Sequence, residues 1–170
     1  MKRRFISLLL TAVFLTGCAE LFTRTDQPSE PPQMTVLTER GEYPAVRFGY
    51  EWQIRDGEAV IADGVDPLGY AFTPIEAAAG EYVQIAFSDE KYGPTTFTVY
   101  FYAEGGDGEG KTVEYDLNRG DDPRFAERAC ALFPAVSDGI YVVEAVWPSW
   151  YRDGINGEAT YAFALSVHAD

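Results

Sequence analysis

One histidine and two cysteines in 170 residues leave very few side chains through which nucleophilic chemistry can pass. A Ser–His–carboxylate relay needs a held, partly buried imidazole and a nucleophile on a strained turn. His168 follows an alternating run in which Tyr161, Phe163, Leu165 and Val167 share one face. That pattern puts His168 with Ala162, Ala164 and Ser166 on the opposite, solvent side, and its place near the end predicts fraying. No G-x-S-x-G occurs. Cys130 stands among Ala129, Ala131, Leu132 and Phe133, which points to a packed, inert thiol. The 27 carboxylates offer too many pairs to single out a glycosidase-like pair, so a carboxylate-based hydrolase is the weakest of the functional readings. Two loops, Glu104 to Gly110 and Asp153 to Glu158, are acidic and glycine-rich. Neither has the D-x-[DN]-x-[DN]-G spacing of a calcium loop, and hairpin-loop chemistry accounts for both. The sequence therefore predicts no catalytic residues, no metal and no cofactor.

The segment Trp147-Pro148-Ser149-Trp150-Tyr151-Arg152 is the better candidate for contact with another molecule. Alternation assigns Trp147 to the core. Trp150 and Tyr151 fall in the loop that follows, where a rigid aromatic pair can anchor a protein or glycan. The competing assignment folds them over the end of the domain as a cap. Tyr100 and Tyr102, which share an outer face with Thr96 and Thr98, read as ordinary cross-strand contacts.

Composition narrows the partners. Twenty-seven acids against 13 bases give a formal charge of −14, which argues against nucleic-acid binding, since affinity for phosphate backbones comes from Lys and Arg. With 11 Phe, 11 Tyr and 3 Trp the chain has ample material for a core, and its length suits one domain. The amino terminus has a separate job. Met1-Lys2-Arg3-Arg4 is cationic, and Phe5 to Leu15 is almost wholly apolar. As a helix that run spans about 16 Å, roughly half a bilayer core, so it reads as a cleavable export signal and not as a membrane span.

Leu15-Thr16-Gly17-Cys18 then resembles the lipobox of bacterial lipoproteins, with an aliphatic residue and two small ones before the cysteine. The resemblance implies that Cys18 carries a diacylglyceryl thioether and becomes the first residue after cleavage. The membrane would then be a partner through that lipid, on the extracytoplasmic face, or at an outer membrane where the host has one. Losing residues 1–17 removes Lys2, Arg3 and Arg4 and no acid, which takes the charge from −14 to −17. Such a domain is repelled by anionic lipid, so the acyl chains would anchor it alone.

From Ala19 to Gln33 the chain is polar and proline-bearing, which predicts an extended, unpacked tether reaching about 45 Å at ~3.1 Å per residue. Beyond it the dominant period is two. Val46, Phe48, Tyr50, Trp52 and Ile54 form one apolar face, and Asp56-Gly57 turns that strand back into Ala59 to Ala62. Further runs cover Met34–Leu37, Tyr82–Phe87, Thr96–Tyr102, Val113–Leu117, Tyr141–Trp147 and Tyr161–Val167. Seven or eight strands separated by turns predict an all-β antiparallel sandwich. Asp122-Pro123 followed by Phe125 and Ala129 predicts one short helix near 123–130, in competition with a strand over 129–133. The run from Gly139 through Tyr141 and Val143 to Ala145 resembles the penultimate strand of immunoglobulin-like domains, with Val143 where antibody domains place a cysteine. The resemblance implies an immunoglobulin-like sandwich in which the Tyr141 hydroxyl bonds back to upstream backbone. The expected organisation is a signal over 1–17, an anchor and tether over 18–33, and a β-sandwich over 34–170. The function expected is a non-catalytic, lipid-anchored surface module for a protein or glycan, with a structural envelope component or a protease-inhibitor-like module as the alternative.

Overall fold

The structure, a computed structural model, describes residues 28–54, 57–89, 92–105, 108–118, 130–150 and 154–169. Twelve strands lie among them: β1 (Met34–Thr38), β2 (Gly41–Pro44), β3 (Val46–Ile54), β4 (Val60–Ala62), β5 (Ile75–Ala78), β6 (Tyr82–Phe87), β7 (Thr96–Ala103), β8 (Lys111–Thr112), β9 (Asp116–Asn118), β10 (Cys130–Pro134), β11 (Gly139–Trp147) and β12 (Ile155–His168). They form two facing sheets. One has the order β2-β1-β6-β10-β9, and the other β4-β3-β12-β11-β7-β8, with β5 added along β12. Without β2 to β5, the orders β1-β6-β10-β9 and β12-β11-β7-β8 are those of an immunoglobulin-like sandwich, so the all-β expectation is met.

The departures have physical causes. The extra strands are four residues or shorter, apart from β10, and a period of two cannot register over so few positions. Where a helix or strand was in competition near 130, Cys130–Pro134 is strand, paired to β6 and β9. Residues 121–129, which hold the rest of the expected helix, lie outside the described residues. Val113–Leu117 spans the gap between β8 and β9 and is not a continuous strand.

The apolar face of β3 is split. Its pairing with β12 shifts register between Thr160 and Tyr161, so Gly49 faces Thr160, Arg47 faces Tyr161, and Phe48 is the extra residue of a bulge. Tyr50, Trp52 and Ile54 therefore join the main core, while Val46 and Phe48 turn to the outer face. The main core is aromatic. Trp52 meets Trp147 edge-on at 5.1 Å, and Tyr141 stacks on Phe163 at 5.2 Å and on Phe133 at 5.4 Å.

Tyr141 faces inward as expected, yet its buried hydroxyl has no hydrogen-bond partner among the described residues, so the expected bond to upstream backbone is not made there. A buried hydroxyl without a partner costs about 1–3 kcal/mol. Tyr141→Phe should therefore raise stability at neutral pH by about 1 kcal/mol, read as an increase in the urea midpoint.

The proline-bearing segment is packed where it is described. Pro31 and Pro32 are buried. The Trp52 indole donates to the carbonyl of Pro28 at 2.9 Å, Arg47 Nη1 to that of Pro31 at 2.6 Å, and the Tyr161 hydroxyl to that of Pro32 at 2.6 Å. Arg47 also pairs with Glu30 and lies 4.8 Å from the centre of the Tyr50 ring. Gln33 reaches the carbonyl of Ala45 at 2.7 Å. The bulge explains the arrangement, because it turns Arg47 to the same side as Tyr161. Prolines donate nothing to a ladder but keep their carbonyls, and three core-facing donors take them. Residues 28–33 are thus a strap on the sandwich and not an unpacked spacer.

Candidate functional site

The outer face of the second sheet carries a small apolar layer of its own. Alternation places Ala162 and Ala164 on a solvent face, but they are 0% and 9% exposed. The connection from β4 to β5 covers them. It opens on Asp66, whose carboxylate accepts from the Leu68 amide at 2.9 Å and caps a single 3-10 turn over Pro67–Gly69. Proline at the first position suits that turn, which then delivers Tyr70 and Phe72 onto the sheet. Phe48, pushed outward by the bulge, meets Tyr70 edge-on at 5.2 Å and Phe72 at 5.8 Å, and Tyr70 meets Phe72 at 4.9 Å. Phe48 also packs with Val142 and Ala162, flanked by Tyr100, Tyr102 and Ile140.

Between this connection and the β7–β8 loop lies a groove of about 400 Å³. Leu68, Tyr70 and Phe72 form one wall, Tyr102 and Ile140 the floor, and Glu104 with Gly105 and Gly108 the other wall. Gly105 and Gly108 have φ of +68° and +79°, a left-handed backbone that glycine adopts without strain, as the hairpin reading of this acidic loop expects. The volume falls in the range of small-ligand sites, and the mixture of apolar walls with few polar groups fits them too. No lysine, arginine or histidine is among the described lining residues.

The sequence candidates sit elsewhere. Trp150 is 74% exposed in the β11–β12 loop, at the opposite end of the sheet from the groove. It does not cap the core, and Trp147 does the packing: Trp147 is 1% exposed and donates its indole N–H to the Tyr92 carbonyl at 2.7 Å. Tyr151 and Cys18 lie outside the described residues, as does the side chain of Cys130. His168 is on the solvent side as read, yet it does not fray. It closes the parallel pairing of β12 with β5, its carbonyl accepts from the Ala79 amide at 2.9 Å, and its Nε2 meets the Glu76 carboxylate. Among the described residues no group of three His, Cys, Asp or Glu side chains is placed to hold a metal ion. No described helix is long and apolar enough to cross a membrane.

Tyr102 makes the cross-strand contacts expected of it, opposite Ile140 and against the Phe48–Val142 cluster, and it also forms the groove floor. Tyr70 and Phe72 lie in a segment with no sustained period, so alternation does not mark them. A signal was present: Asp66-Pro67 announces a turn, and the alternate spacing of Tyr70 and Phe72 before Pro74 marks a short stretch with one apolar side. Two orders of strands and one aromatic groove define the class, a Greek-key sandwich with an added outer layer. The chain matches no known family model, no curated protein and no solved structure.

Proposed function

We propose that this chain is a lipid-anchored, extracytoplasmic, non-catalytic binding module, held at the membrane by acylated Cys18, that takes a glycan into the groove of the outer layer. The observation that carries the reading is the groove itself, with Tyr70, Phe72 and Tyr102 around the Glu104 carboxylate. Sugar rings offer apolar C–H faces to aromatic rings and hydroxyls to acceptors such as Glu104. With no cation among the described lining residues, on a chain with 27 acids, the groove disfavours anionic ligands and points to neutral or amine-bearing sugars.

The test is calorimetric titration of the protein with neutral and amino-sugar oligosaccharides, comparing wild type with Tyr102→Ala and Tyr70→Ala. Truncating an aromatic anchor should weaken binding by about 2 kcal/mol, roughly 30-fold. Unchanged affinity in both variants, or no binding across the set, would remove the groove from consideration. A protein partner is the second reading, favoured by the edge strand β4, where Val60 and Ile61 are 49% and 65% exposed beside an unpaired backbone edge.

A further inference from the structure

We infer that Trp150 is a membrane contact, its indole seated in the lipid headgroup layer, so that the end of the sandwich carrying it faces the bilayer. The inference rests on the lipid-anchor reading and goes beyond it by assigning an orientation and a contact residue.

The strap supplies the geometry. Pro28 is held by the indole of Trp52, two residues from the end of β3. Trp52 lies edge-on against Trp147, the last residue of β11, and Trp150 follows three positions later. The chain therefore enters the domain at the end that presents Trp150. From Cys18 to Pro28 the chain has ten positions, so its reach is at most about 35 Å. The tether read from composition alone was longer, at about 45 Å, because it included the packed residues 28–33. On β12, the groove residue Leu165 is eight positions from Gly157, the partner of Trp52, about 26 Å further along the strand. The entry point therefore puts the Trp150 end nearer the anchor and the groove further from it.

The side chains at that end suit such a contact. Trp150 is 74% exposed, and indoles concentrate at membrane interfaces because a wide apolar ring and one N–H donor match that boundary. Val60, opposite Trp52 on β4, and Val146, next to Trp147, are 49% and 38% exposed. Charge does not attract this domain to lipid, since the acid excess opposes anionic headgroups. The contact has to be apolar and should favour a zwitterionic surface.

The experiment uses the full-length acylated protein in phosphatidylcholine vesicles with or without brominated acyl chains, which quench indole emission on contact. Wild type should lose emission in the brominated vesicles, and Trp150→Phe should lose none, since Trp52 and Trp147 are buried at 1% exposure each. Vesicle-bound wild type with unquenched emission, or equal quenching in Trp150→Phe, overturns the inference and leaves the anchor standing. Cys18→Ser tests the anchor separately: if that variant stays vesicle-bound and fully processed, the lipid-anchor reading fails, and this one with it.

Discussion

Between pH 10 and pH 12 the protein should lose several kcal/mol of stability, as much as a large core truncation removes at neutral pH. Burial pushes the Tyr141 phenol up to about 12, and burial also raises Tyr161 well above its usual value, against the opposing pull of the Arg47 guanidinium. An unfolded chain releases its tyrosine protons near pH 10. Above that pH the unfolded state binds fewer protons than the native state, so the free energy of unfolding falls as pH rises. The stabilising contribution is complete below pH 10 and is lost as pH climbs toward the folded values. Each phenol contributes a slope of about 1.4 kcal/mol per pH unit, so the pair gives about 2.7 kcal/mol per unit. A domain with 5–15 kcal/mol in total would approach its limit within a few pH units. Tyr115, raised by burial to a smaller extent, adds to the same trend. Urea midpoints measured from pH 9 to pH 12 should fall steeply in wild type and about half as steeply in Tyr141→Phe or Tyr161→Phe. A flat profile, or phenolate absorbance developing fully in the native protein near pH 10, would contradict the burial of both rings.

The second large effect concerns Gly64→Ala. A Cβ on Gly64 would lie 1.9 Å from the carbonyl oxygen of Phe48 and 2.4 Å from its carbon. Those are backbone atoms of the bulge, with no flexible side chain to give way. Gly49 is close to the same crossing, where a Cβ would meet the Ala62 oxygen at 3.1 Å. The backbones of the bulge and the outer connection touch there, and their contact sets how Tyr70 and Phe72 reach Phe48. Adding a methyl at Gly64 should cost about 3 kcal/mol, in the upper part of the overpacking range. The same change should lift the connection off the sheet, exposing Ala162 and opening the Tyr70–Phe72 wall. Expected readouts are a lowered urea midpoint, faster amide exchange over 66–74 and loss of any saccharide binding. Gly49→Ala should be milder because its neighbour is a normal contact distance short by only a few tenths of an ångström. Equal stability of Gly64→Ala and wild type would mean that the connection does not cross at the bulge.

Both predictions show where residue order carried structural information and where it did not. Tyr141, Val143, Ala145 and Trp147, with Tyr161, Phe163 and Leu165, alternate over enough positions to announce two central strands, and all seven are buried. In β3 the same rule misled, because apolar letters continue at every second position while the backbone slips by one at Phe48. Gly49 within that run was the available warning, since glycine inside a strand often marks a bulge. The strap has no signature in residue order, because its contacts run through proline carbonyls and donors such as Trp52 and Tyr161 are far away in sequence. The groove was the least legible feature. It depends on a crossing between residues 48 and 64 and on a capped turn, and neither has a periodic signature. For Trp150 residue order leaves an exposed anchor and a cap over the domain end in competition, and its 74% exposure decides for the first.

The arrangement of strap and groove also decides how the domain bears force. A pull between Pro28 and a ligand in the groove would run nearly parallel to β3, β12 and β11. The ladder bonds of antiparallel strands lie across that direction. Along β11 and β12 they extend from Gly139↔Leu165 to Trp147↔Gly157, so traction would load the whole ladder in shear at once. Tension applied across one end would instead peel the bonds apart one after another. An anchor at the Pro28 end and a ligand in the groove would thus set the strands along the line of pull.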